Sequence, residues 1–167
     1  MNLAIEARNM NGDSGFRLLK KRKALLAIGV GGIGAGVLDL TQACILFGTK
    51  VPLVIAAGLL GRQALHGGIA AYALGVLLHF FIALSAATVY YMVSRWLVFL
   101  IEHPLICGLF YGAAVQEMMN LIVLPLSALH ATGPYKLQDL IVGLLVHMIV
   151  IGLPISFSVR RFGPIAR

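Results

Sequence analysis

Four long apolar stretches, at about 24–48, 69–94, 104–128 and 137–158, are separated by short polar or charged connections. A helix rises about 1.5 Å per residue, so each stretch is long enough to cross roughly 30 Å of hydrocarbon. Pro104 stands where a proline is tolerated, in the first turn of the third stretch. Residues 52–65 are apolar but too short to span, and Gly58, Gly61 and Arg62 interrupt them, which predicts an interfacial or re-entrant helix. Residues 96–101 are apolar too, but lie between Arg95 and a Glu102-His103-Pro104 turn, a place at the membrane surface. The first 23 residues are polar and mixed, with turn formers from 9 to 15, and predict a loosely ordered or interfacial segment. The expected fold is all-α: four transmembrane helices in two tandem helical hairpins, plus the short helix. A basic N-terminal tail (1–23), one transmembrane domain (24–160) and a basic C-terminal tail (161–167) make up the chain.

Composition narrows this picture. With 60% of the 167 residues hydrophobic and 11% charged, and a mean hydropathy of +0.95, the solvent that suits the chain is lipid. Four spans leave no length for a separate soluble catalytic domain. The formal charge of +7 does not point to nucleic acid, because six of the thirteen Lys and Arg fall in the first 23 residues, including Lys20, Lys21, Arg22 and Lys23 in succession. Such a run flanks a first membrane helix. The apolar segment after it is longer than a secretory h-region and lacks a convincing cleavage site, so it reads as an uncleaved anchor.

Ten of the thirteen cations fall on the side of the two termini, in the tails and at Arg95, whereas Lys50, Arg62 and Lys136 fall opposite. The positive-inside rule then predicts a multi-pass protein of the bacterial inner membrane with both termini cytoplasmic. Tyr90, Tyr91, Trp96, Phe157 and Phe162 are expected to form an aromatic belt on that side. Cys44 and Cys107 fall near opposite faces and are not expected to pair.

A weak tandem repeat runs through the apolar segments. Gly32 and Gly36 match Gly108 and Gly112, the Pro52-Leu53 corner matches Pro125-Leu126, and Gly75 with His79 matches Gly143 with His147. Two like hairpins in one orientation imply a pseudo-twofold axis along the membrane normal. The glycine pairs predict close helix–helix packing.

Ionisable groups near mid-bilayer cost roughly 2.5–3.5 kcal/mol each on insertion scales, so each needs a reason. Asp39, His79, Glu117 and His147 share one level near the midplane, with Gln116 and Asn120 close by. Asp39 follows Gly32 and Gly36 on one helical face, and His79 shares a face with Tyr72, Gly75, Ala83 and Ala86. Asp39 and His79 are therefore expected to form an inward-facing pair, and a separation above about 8 Å without a bridge would exclude it. Glu117 lies off the face of Gly112, Gln116 and Asn120, so it faces a groove, another subunit, or Asn120.

These groups admit several uses. They can be structural hydrogen-bonding glue between helices, or a proton-coupled or solute-translocating site. They can also be the two axial ligands of a haem b at His79 and His147, or a carboxylate–histidine metal site. His66, His103 and His130 fall at membrane edges or in the outer connection and read as solvated. The sequence has no Walker loop, HExxH or CxxC, and no residue recommends itself as catalytic.

Five segments, Gly36-Val37-Leu38-Asp39, residues 55–61, residues 74–80, Gly108-Leu109-Phe110-Tyr111-Gly112 and residues 124–128, together resemble a bacterial group of uncharacterised four-helix inner-membrane proteins, loosely similar to the YagU type. The resemblance covers most of residues 24–160 and implies architecture and location, with no catalytic residue to carry over. A transport-related or accessory membrane role is the expectation, beside a haem-bearing electron carrier and a purely structural subunit. The expected partners are the lipid bilayer and a homo-oligomer or larger membrane complex.

Overall fold

The computed structural model describes residues 2–133 and 136–163, with side chains from residue 18 onward. Arg167 of the C-terminal tail lies outside the described residues, as do the side chains of Arg8 and Arg17. All regular structure among the described residues is helical. Helix α1 spans Asn2–Phe47, α2 Val51–Leu60 and α3 Gly68–Ser94. A single turn, α4 (Phe99–Glu102), precedes α5 (Pro104–Leu126) and α6 (Leu137–Phe162). Four helices, Leu18–Phe47 of α1 together with α3, α5 and α6, are long and apolar enough to cross a membrane.

These spans lie within a few residues of the apolar stretches, with one departure. The backbone helix of α1 continues upstream to Asn2, where the sequence predicts a loosely ordered or interfacial segment. No proline interrupts residues 2–47, and a helix once nucleated gains one hydrogen bond for each residue it adds.

The interior is built from small residues and the exterior from large ones. Ala27, Ala35, Ala83 and Ala87 are buried, whereas Leu25, Ile45, Phe81, Phe110 and Leu121 are exposed. Lipid tails are as apolar as these side chains, so bundles in membranes gain from close backbone approach rather than from hiding large residues. Gly32 lies against Leu84 and Gly36 against Phe80, so α1 and α3 run antiparallel. Ser158 donates to the Ala27 carbonyl at 2.9 Å and joins α6 to α1. Gly108 abuts Ser156 and Gly152, and Gly112 abuts the His147 carbonyl, so α5 and α6 are antiparallel as well.

This register gathers the exposed cations Lys20, Lys21, Arg22, Lys23, Arg95, Arg160 and Arg161 at one end of the bundle. Lys50, Arg62 and Lys136 lie at the other. Cys44, near the end of α1, and Cys107, in the first turn of α5, are both free.

The aromatic belt needs a correction. Tyr90 and Tyr91 are 1% and 6% exposed and belong to the core. Tyr90 donates to the Leu100 carbonyl at 3.0 Å, and its ring meets Tyr111 edge-on with centroids 4.9 Å apart. Tyr111 in turn donates to the Ala86 carbonyl at 2.6 Å, tying α5 to α3. The Tyr90 hydroxyl thus finds a backbone acceptor inside the bundle and does not have to reach an aqueous edge for a partner. Trp96 remains outside, at 87% exposure.

Two π-helical turns interrupt the second half of the chain, Met119–Val123 in α5 and Met148–Gly152 in α6. Each ends just before a proline, Pro125 or Pro154. Proline removes an N–H and collides with the carbonyl four residues back, and a turn widened to i→i+5 relieves both conflicts.

Helix α2 is ten residues long, too short to span, and has Pro52 in its first turn. Gly48 and Gly61 bracket it at φ of 91° and 80°, backbone that residues with a Cβ seldom adopt. Its buried side, Pro52, Ala56 and Ala57, rests on α3, where Gly75 leaves no room for a Cβ against the Pro52 carbonyl. Its far end is held by Ala128 N–H donating to the Gly58 carbonyl at 2.7 Å.

Candidate functional site

Asp39 sits three residues after Gly36, and the glycine lets α3 come close enough for His79 to reach α1. His79 Nε2 lies 2.9 Å from the Gly36 carbonyl oxygen and 3.9 Å from Asp39 Oδ2. A carbonyl only accepts, so the neutral imidazole carries its proton on Nε2 and donates to Gly36. The carboxylate lies just outside hydrogen-bonding range of the same nitrogen. A modest rotation of the Asp39 side chain would let it replace the carbonyl as acceptor. The two side chains are 14% and 12% exposed, and the inward-facing pair expected from the sequence is present.

The pair borders a cavity of about 170 Å³. All four long helices contribute to its wall, and α2 adds Val51 and Ile55. His147 lines it from α6, with Nδ1 donating to the Gly143 carbonyl one turn back at 3.0 Å. That bond leaves Nε2 as the unprotonated nitrogen of the neutral ring. Met119 and Ile151, one from each π-turn, complete the wall near His147. The two places where helical geometry is broken are therefore cavity walls, a setting in which irregular backbone is tolerated at membrane depth.

The other polar candidates go elsewhere. Gln116 is buried at the α5–α6 contact, where its amide fills the space beside Gly143. Asn120, one turn further, keeps a buried Nδ2 with no acceptor among the described residues. Glu117 is exposed and shares nothing with the cavity. The mid-level ionisable residues thus divide: Asp39, His79 and His147 point inward, and Glu117 points out. His66, His103 and His130 are exposed, as expected.

Among the described residues no three His, Cys, Asp or Glu side chains gather closely enough to hold a metal ion. A haem does not fit between His79 and His147 either. The cavity they share, about 170 Å³, is below the roughly 300 Å³ at which pockets for drug-sized ligands begin, and the protonated Nε2 of His79 is engaged with Gly36.

The sequence reading missed the role of α2. Nothing in its apolar pattern indicates that Val51 and Ile55 would wall a cavity whose ionisable groups come from other helices. The two proline-linked π-turns were legible in principle, since Pro125 and Pro154 fall inside apolar spans. No protein family, curated protein or solved structure matches this chain.

Proposed function

We propose that this chain is a multi-pass protein of the bacterial inner membrane, both termini cytoplasmic, that moves protons or a small proton-coupled solute through the cavity beside Asp39 and His79. The observation that carries this reading is the convergence of a carboxylate and two imidazoles on one cavity bordered by every long helix. A solute of a few non-hydrogen atoms, or a short file of water, suits that volume. The balanced relay step is uptake of a proton at His79 Nδ1 followed by loss of the Nε2 proton to the Asp39 carboxylate, rotated from 3.9 Å into hydrogen-bonding range, which returns the ring to its neutral form.

The gathering of seven cations at one end supports the orientation. The resemblance to small bacterial inner-membrane proteins remains part of this proposal. Gly36 beside His79 and Gly112 beside His147 are like pairs in the two halves, which supports the tandem-hairpin repeat with glycine pairs as packing motifs. That α2 walls the cavity supports its reading as a re-entrant helix.

Reconstitution into liposomes enclosing a pH-sensitive dye tests the function. Under an imposed pH gradient, alone and with candidate small solutes, the wild type is expected to acidify the lumen faster than empty vesicles. Asp39→Asn should abolish the excess while leaving the helical circular dichroism and detergent stability intact. A wild-type rate equal to that of empty vesicles, or an Asp39→Asn rate equal to that of the wild type, refutes the proposal.

One observation favours a second reading, an accessory or purely structural membrane subunit: the His79–Gly36 bond already joins two helices without help from the carboxylate. On that reading Asp39→Asn is mild, and only Asp39→Leu destabilises the protein.

A further inference from the structure

Glu117 is the one mid-span ionisable residue that the fold turns away from itself. It lies thirteen residues from Pro104 and nine from Leu126, roughly 20 and 14 Å along the helix at 1.5 Å per residue. Phe110, Ala114, Glu117 and Leu121 follow one another at helical spacings of four, three and four, so they form a single stripe. All four are exposed, Phe110 and Leu121 at 73% and 71%. The opposite side of α5, with Gly108, Gly112 and Gln116, is the side buried against α6. Glu117 makes no hydrogen bond or ion pair with any described residue.

We propose that this stripe is where a second copy of the chain docks, α5 against α5 about a twofold axis, with the two Glu117 carboxyls hydrogen-bonded to each other. The inference rests on the membrane embedding proposed above, and is independent of proton movement through the cavity. A group facing hydrocarbon has no water to bond, so its partner must come from protein. The cations of a second copy cannot serve, because every described Lys and Arg lies at one end of the bundle or the other.

The same carboxyl on a second copy does serve. In protonated form it presents one O–H donor and one carbonyl acceptor, and two such groups facing each other satisfy both. A twofold interface brings each residue of a central stripe opposite its own copy, which is the arrangement this pairing requires. Ala114, one turn from Glu117, lets the two backbones approach closely enough for short carboxyl side chains to meet.

The test is oxidative cross-linking in the membrane. In a background with Cys44→Ala and Cys107→Ala, Ala114→Cys is expected to give a disulfide-linked homodimer. Leu145→Cys, exposed on α6, should not. Adding Glu117→Leu should cut the Ala114→Cys dimer at least tenfold, whereas Glu117→Gln, whose amide also donates and accepts, should keep most of it. Equal cross-linking at positions 114 and 145, a dimer indifferent to Glu117→Leu, or an Ala114→Cys adduct with a different protein each overturn the proposal. Carbonate extraction of the same membranes separates the two failures: extracted protein refutes the embedding, and retained protein without the dimer refutes only the docking.

Discussion

The glycines of α1 offer a test of the packing with its own control. Gly29 and Gly34 have open space where a Cβ would stand. A Cβ on Gly32 would lie 2.8 Å from Leu84 Cδ2 and 2.9 Å from Leu84 Cα, and one on Gly36 would lie 2.9 Å from two ring carbons of Phe80. Ordinary contact begins near 3.4 Å, so alanine at Gly32 asks the α3 backbone to retreat by about half an ångström, and at Gly36 asks an aromatic ring to tilt. Overpacking of this kind costs about 1–3 kcal/mol. Alanine in a helix gains roughly 0.5–1 kcal/mol over glycine at every one of these positions.

The gain is common to all four substitutions and cancels in their difference. The packed pair should therefore fall below the open pair by about 2 kcal/mol, or roughly 4–8 °C in Tm for a chain of this size. Thermal unfolding in detergent followed by circular dichroism measures it. Gly34→Ala is expected to sit at or slightly above the wild type, Gly32→Ala clearly below Gly34→Ala, and Gly36→Ala between them because a ring yields more readily than backbone. If all four variants melt together, α1 does not pack on α3 through its glycine face, and the placement of Asp39 beside His79 falls with it.

Asn120→Leu should be neutral or stabilising by about 1 kcal/mol in the same assay, because it removes a buried donor that has no acceptor; a loss above about 2 kcal/mol would mean that the amide is bonded in the membrane. In the background with Cys44→Ala and Cys107→Ala, Lys136→Cys should react with an impermeant thiol reagent added from the periplasm, and reaction only after permeabilisation would reverse the proposed orientation.

The fold was legible because the signals that define it are long. Apolar runs bounded by Arg95, by Pro104 and by Lys136 locate α3, α5 and α6 to within a few residues at most ends, since no other structure satisfies the backbone of a continuous apolar span in lipid. In the structure Gly32 and Gly36 lie against α3, and Gly108 and Gly112 against α6. Tyr90 was misread because a phenol is satisfied equally by water at an interface and by a carbonyl inside. Only tertiary packing, here Leu100 presenting its carbonyl to Tyr90, decides between the two.

The site was legible to the extent that helical phase decides it. Asp39 follows Gly32 and Gly36 on one face, and a face that packs closely must turn its polar neighbour inward as well. The same reasoning separates Glu117, which lies about 100° beyond Gln116 on α5 at 3.6 residues per turn. Gln116 occupies the buried side, beside Gly143, so the next residue is carried out of the contact. Sequence could establish that Glu117 differs from Asp39 but not what it faces, because that depends on which neighbour covers α5. Depth alone made the four ionisable groups look like one layer; phase divides them into three that border a cavity within the bundle and one that is exposed on the outer side of α5.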